Sequence, residues 1–203
     1  MSVDFAPAPT IKTERLALRA WRTDDLDHYA AMSVDPEVMR YLGGAMTREQ
    51  SDGHVADIQD RFRKWGYFYW AVETPDNPFA GFVGLSQPHY EAHFTPAVEI
   101  GWRLARAAWG RGYASEAASA CLAFGFARDD IDEIVAIASV HNAASLGVMR
   151  RIGMARNPAD DFDFPGLPEH PDLRRSALCR IDRAAWTKRA EKPKLTVIDH
   201  NAA

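Results

Sequence analysis

Trp109-Gly110-Arg111-Gly112-Tyr113-Ala114-Ser115-Glu116-Ala117 is the stretch on which the reading of this chain turns. It separates an alternating, strand-like run from a small-sided, helix-like one. Two glycines one residue apart let the backbone turn tightly and turn its N–H groups outward. The helix that follows adds the positive end of its dipole, so strand, turn and helix start form a cradle for phosphate. A lone Gly-x-Gly is also what an ordinary tight strand–helix connection looks like. Three arginines near it, Arg103, Arg106 and Arg111, favour an anion in a chain whose net charge is −4. No Gly-Lys-[Ser/Thr] follows, which argues against a nucleoside-triphosphate loop.

Outward from the turn, Val98, Ile100, Trp102 and Leu104 alternate with Glu99, Gly101 and Arg103, as in a strand with one buried face. Ala114, Ala117, Ala118, Cys121 and Leu122 form one stripe of the following helix. Residues 134–140 form an unbroken apolar run, expected to be a central strand buried on both faces. A helix over 142–152 ends at Gly153, and a last strand is expected over 174–181. Upstream, a strand over 15–21 precedes a helix capped from Thr23-Asp24-Asp25 and a short helix after Asp35-Pro36. Thr47-Arg48-Glu49-Gln50 reads as a capping box for a polar helix to Trp65, and 67–73 with 80–86 read as a hairpin. The order of elements is that of a mixed α/β single domain over 13–186. Residues 1–12 are expected to be a flexible lead-in and 187–203 a polar C-terminal tail.

The 203 residues, 47% of them hydrophobic, can bury one full core. The acidic balance disfavours a nucleic-acid partner, and no apolar run is long enough to cross a membrane. Cys121 and Cys179 lie in apolar runs and read as buried thiols of a reducing, cytoplasmic compartment.

Taken together, these motifs resemble the GNAT superfamily of acyl-CoA-dependent N-acyltransferases. The family's cofactor motif, [Gln/Arg]-x-x-Gly-x-[Gly/Ala], falls on the glycine turn, with Trp109 departing at the first position. Trp-Gly-x-Gly-Tyr-Ala-[Ser/Thr]-Glu-Ala resembles the branch of the ribosomal-protein N-terminal acetyltransferases, the Rim type. Thr13-Glu14-Arg15-Leu16, Glu99-Ile100-Gly101-Trp102, Asn142-Ala143-Ala144-Ser145 and Arg151-Ile152-Gly153-Met154 resemble further segments of that branch.

The resemblance implies a twisted, mostly antiparallel sheet of six or seven strands, flanked by helices on both faces. The fourth and fifth strands splay apart, here 98–104 and 134–140, and acetyl-CoA lies between them. Free backbone groups near Arg103 and Leu104 would pair with pantetheine. The N–H groups of Gly110, Arg111, Gly112, Tyr113, Ala114 and Ser115 would hold the pyrophosphate beside Trp109. Asn142 would bond the pantetheine arm, and also suits a helix N-cap.

A tyrosine acid is common seven positions after the Asn, and Met149 stands there on the expected cofactor wall. Ser145 is then the candidate proton donor to the thiolate, or else a serine exposed one turn into a helix. Glu99 is the candidate base, or else an ion-paired strand residue; Asp161, Asp163 and His89 are weaker candidates. An α-amine, with pKa near 8, needs less help from a base than a lysine does.

Asp161–Pro168 and Leu173–Ser176 resemble a further segment of the branch, with Phe164 and Ser176 where histidines are expected. The implied partners are acetyl-CoA and a primary amine, either a protein N-terminus or a small molecule. No metal is implied, and the protein is expected as a monomer or homodimer. A noncatalytic acyl-CoA-binding module is the alternative.

Overall fold

In a computed structural model, residues 5–167, 169–189 and 192–199 are described. The elements run β1 (Thr10–Lys12), β2 (Ala17–Arg19), α1 (Asp25–Ser33), α2 (Pro36–Met39), α3 (Arg48–Trp65), β3 (Tyr69–Thr74), β4 (Asn77–Ser86) and β5 (Val98–Leu104). They continue α4 (Tyr113–Phe126), β6 (Glu133–Ser139), α5 (Ala143–Arg151), β7 (Ala155–Arg156), β8 (Phe162–Asp163), α6 (Pro171–Arg174), β9 (Arg175–Asp182), α7 (Arg183–Lys188) and β10 (Thr196–Ile198).

One sheet holds the strands in the order β10-β1-β2-β3-β4-β5-β6-β9-β7, with β8 also on β9. Among the described residues it has ten strands, more than the expected six or seven. The excess is made of two- and three-residue strands too short to leave a periodic signal, such as β7, β8 and β10. Among the described strands every pairing is antiparallel except that of β5 with β6.

That pairing decides where a ligand can enter. β5 and β6 are in register only at Val98↔Ile134 and Glu99↔Val135. β4 stays paired with β5 out to Leu104, and β9 stays paired with β6 out to Ser139. The two central strands therefore diverge after Glu99. Burial along β6 follows the divergence. Ile134, Val135 and Ala136 are buried, whereas Ile137 and Ala138 are only half-buried, short of the expected two-sided burial.

Side chains alternate across the sheet. On one face Trp70, Leu85 and Ile134 meet α4: Phe124 stacks edge-on against Trp70, and Gly125 lies against Leu85 and Ile134. The small side chains of α4, Ala117, Ala118 and Cys121, are fully buried and allow this close approach. On the other face Phe82 meets Tyr29 of α1 and His54 of α3. The Thr47 capping box forms as expected, and Gly66 closes α3 in the left-handed region at φ 73°. No side chain caps α1; Asp25 instead accepts from the Arg22 amide and pairs with the buried Arg19 guanidinium.

Two stretches expected outside the domain belong to it. Ala6 and Ala8 are buried, the Ala6 amide donates to Gln59, and Thr10–Lys12 form β1. Thr196–Ile198 of the expected tail form β10 on the free edge of β1. Residues 1–4, 190–191 and 200–203 of those stretches lie outside the described residues.

Candidate active site

The glycine turn lies at the end of the divergence. Gly110 and Gly112 have φ of 74° and 80°, a region that side-chain-bearing residues adopt at a cost of roughly 1–2 kcal/mol. No side chain caps α4, so the N–H groups of its first turn are left for a ligand. A Cβ on Gly110 would meet nothing, and one on Gly112 would come within 3.4 Å of the Arg15 guanidinium. The turn is exposed, as a phosphate cradle must be.

The cations around it are not the expected three. Arg15 reaches in from the β1–β2 connection, its NH1 donating to the Arg111 carbonyl at 2.9 Å. It is held by Glu116 in the first turn of α4, at 2.6 Å. Thr13 donates its hydroxyl to the same carboxylate, also at 2.6 Å. Burial works against ionisation of Glu116, but Thr13 and Arg15 outweigh it and hold its pKa below the ordinary value. Arg151 of α5 donates to Ser115 Oγ at 3.0 Å. Arg106 and Arg111 stand 3.8 Å from Asp35 and Asp76.

Arg103 turns away from the cradle. Its guanidinium donates to the Tyr29 hydroxyl at 3.1 Å and lies over the Phe82 ring, on the face opposite α4. Its peptide groups face β4 as well. The Ala105 amide donates to the Ala80 carbonyl, so by alternation odd-numbered residues of β5 bond β4 and even-numbered ones point at the divergence. The expectation that Arg103 offers its backbone to a cofactor is therefore corrected. The groups that point into the gap are those of Trp102 and the Leu104 N–H. The Leu104 carbonyl is already taken by the Trp109 indole at 2.8 Å, which ties the end of β5 to the turn.

Asn142 caps α5, its Oδ1 accepting from the Ser145 amide at 3.1 Å. Both lie just past the end of β6, on the open side of the gap. Met149 is packed into the hydrophobic core at 1% exposure, so the expectation that it lines the cofactor wall is corrected as well. The apolar side chain one turn further along α5 faces inward with Val148 and Ile152.

Glu99 stands at the vertex, on the last residue pair before the strands part. Removal of water raises its pKa to about 7, against a weak opposing pull from the Tyr90 hydroxyl 3.5 Å away. Burial, with the Glu99 charge adding to it, pushes the Tyr69 and Tyr90 hydroxyls far up, so both stay protonated. Val135, paired with Glu99, and Ser139, where β6 ends, are four residues or ~13 Å apart.

The weaker base candidates are tied up or distant. Asp161 pairs with Arg156, which holds its pKa low, and Asp163 sits 3.5 Å from Arg175. His89 lies in the loop after β4 among residues of α3, lining an open cavity of about 420 Å³ with Trp65 and Lys64. Phe164 packs edge-on against Tyr90 at 5.1 Å, which brings its segment to the Glu99 side. Ser176 is buried and donates to the Arg174 carbonyl. Pro168 of that segment lies outside the described residues. His170 bonds the Gly43 carbonyl at 3.1 Å, joining this segment to the α2–α3 connection.

Sequence reasoning missed Arg15, Arg151 and Tyr90. Arg15 was legible only as part of an opening strand, because its partner is 101 residues away. Tyr90 lies in a loop with no periodic signal.

The sequence pattern of the acetyltransferase (GNAT) domain matches residues 15–155. YkkB of Bacillus subtilis (strain 168) is 33% identical over 144 residues, 70% of this chain and 83% of YkkB. A GNAT-family acetyltransferase from Bacillus anthracis has the same fold, with TM-score 0.68 and 26% identity over 86% of this chain and 99% of that one. RimL, a ribosomal L7/L12 α-N-protein acetyltransferase solved with coenzyme A, superposes with TM-score 0.64 at 20% identity, over 88% of this chain and 98% of that one. With its diverging central strands, uncapped glycine turn and matching domain sequence, the chain belongs to the GNAT acetyltransferase family, a family of N-acetyltransferases.

Proposed function

We propose that this protein transfers the acetyl group of acetyl-CoA to a primary amine, either the α-amine of a protein N-terminus or that of a small molecule, in the manner of the Rim-type branch. The observation that carries the reading is the gap between β5 and β6, which leads from Glu99 at its vertex to the uncapped start of α4. The residues fit the cosubstrate: a glycine cradle for pyrophosphate, an unpaired strand edge at Trp102 and Leu104 for the pantetheine amides, and the amide nitrogen of Asn142 at the far side.

Bound there, acetyl-CoA supplies an activated thioester. Arg15 and Arg151 add positive charge beside the cradle. The Trp102 N–H, unpaired by β4, bonds the carbonyl oxygen as charge develops on it. Glu99, titrating near neutrality, takes a proton from the incoming ammonium, and Ser145 gives one to the departing thiolate. An α-amine suits a base of this strength, since it is partly neutral at pH 7. We place the catalytic domain at residues 13–186, with β1 and the edge strand β10 added to its sheet from either side of that range, and the protein in the cytoplasm, a reading supported by two buried, unpaired thiols.

Calorimetric titration with acetyl-CoA, followed by thiol release on addition of amines and N-terminal peptides, tests the reading. Saturable binding with amine-dependent release is expected; no binding at millimolar ligand overturns it.

A further inference from the structure

We propose that the acceptor is an amine that also carries an anionic group on the order of 10 Å from its nitrogen, and that Arg103 selects for that group. The inference rests on the N-acetylation reading above and narrows its substrate.

Glu99 and Arg103 lie on one face of β5, four residues or ~13 Å apart along the strand. Between them that face presents only Gly101, with the Tyr69 hydroxyl beside it. The Arg103 guanidinium meets neutral groups: the Tyr29 hydroxyl at 3.1 Å, the Met46 sulfur at 3.8 Å, and the rings of Phe82 and Tyr29 at 5.3 and 5.9 Å. Among the described residues no carboxylate lies within ion-pair distance of it.

Other arginines set into this fold are treated differently. Arg19 is held by Asp25 and Glu73, and Arg183 by Asp132 and three backbone carbonyls. Arg156 is held by Asp161. Arg103 is half-buried and spends one nitrogen on neutral partners, out of a fork of five donors. His54, behind Tyr29, adds no competing positive charge: burial, with Arg103 itself, lowers its pKa to about 4. A weakly hydrated guanidinium on aromatic faces, open on one side, is suited to bidentate capture of a carboxylate or phosphate. With the amine at Glu99, the anion that reaches Arg103 is the far end of the same acceptor. An ω-amino acid has this form, and so does a peptide N-terminus with an acidic residue shortly after it.

The test is calorimetry on the protein saturated with free CoA, a dead-end complex in which acceptor binding needs no turnover. One arm compares ω-amino acids of graded chain length with the matching alkylamines. The other compares tripeptides ending in aspartate amide with their asparagine counterparts. The anionic member of at least one arm is expected to bind about tenfold or more tightly, with an optimum length in the first arm, and the arm that shows it identifies a small-molecule or an N-terminal acceptor. Arg103→Met is expected to erase the preference while CoA affinity is kept, and Arg103→Lys to retain part of it. Equal or absent binding of the anionic members overturns the proposal, as does a preference that survives in Arg103→Met. Thiol release is scored separately: anion-selective binding without release overturns the acetyltransferase reading alone, and release without anion preference overturns this inference alone.

Discussion

Glu99 shares its strand with Ile100 and Leu104 but turns to the opposite face, and water is withheld from it by the surrounding fold. A base titrating near 7 gives kcat/KM a rise through neutrality, and Glu99→Gln is expected to abolish that rise and to lower the plateau about 10²- to 10⁴-fold. Stability moves with it. A carboxyl whose folded pKa lies above its ordinary value of 4.5 favours the folded state below that value and loses the advantage as pH climbs through about 7. Thermal melts of Glu99→Gln should therefore gain on the parent at pH 8 relative to pH 5. Ser145→Ala should bind acetyl-CoA as the parent does and turn over more slowly; unchanged turnover removes Ser145 from the mechanism. At this scale the sequence was informative wherever a residue's role is local. Asn142 caps the helix it begins, and Glu99 alternates with apolar neighbours. Alternation also put Arg103 on the Glu99 face, but a glycine turn a few residues on drew it into the cradle instead. Only the Ala105–Ala80 bond reveals which way its peptide points.

Elements carry the proposed cosubstrate site. The start of α4 is uncapped by any side chain and entered through two left-handed glycines, and on the proposed reading its affinity depends on staying bare. Gly112→Asp adds a side chain toward Arg15, a negative charge and backbone strain at φ 80°. It should abolish acetyl-CoA binding in calorimetry while the melting transition stays cooperative. Helices and long strands were legible because their periodicities run for several turns or pairs, as in the capping box of α3 and the alanine stripe of α4. The partners of Glu116 were not. Thr13 and Arg15 meet it across half of the chain's length, and spacing in one sequence holds no record of that contact.

At the scale of the whole molecule, β1 and the edge strand β10 show that the fold draws on residues from both sides of the expected domain. Truncation after Lys188 removes β10 and bares the edge of β1. It should lower the melting temperature by several degrees, for a loss of about 1–2 kcal/mol, and leave acetyl-CoA affinity unchanged. These strands escaped notice because three residues cannot establish an alternation. The sheet as a whole hangs on a narrow join. β10 to β5 form one panel and β6, β9, β7 and β8 another, and two residue pairs connect them within the sheet. A molecule so divided is a candidate for fragment complementation. If the chain is severed in the exposed turn around Asp129–Asp130, each panel keeps its own strand ladder except for β10, which goes with the second fragment, and acetyl-CoA laid along the seam would supply rungs that the two panels do not make for themselves. Reassembly of the two fragments should then become ligand-dependent.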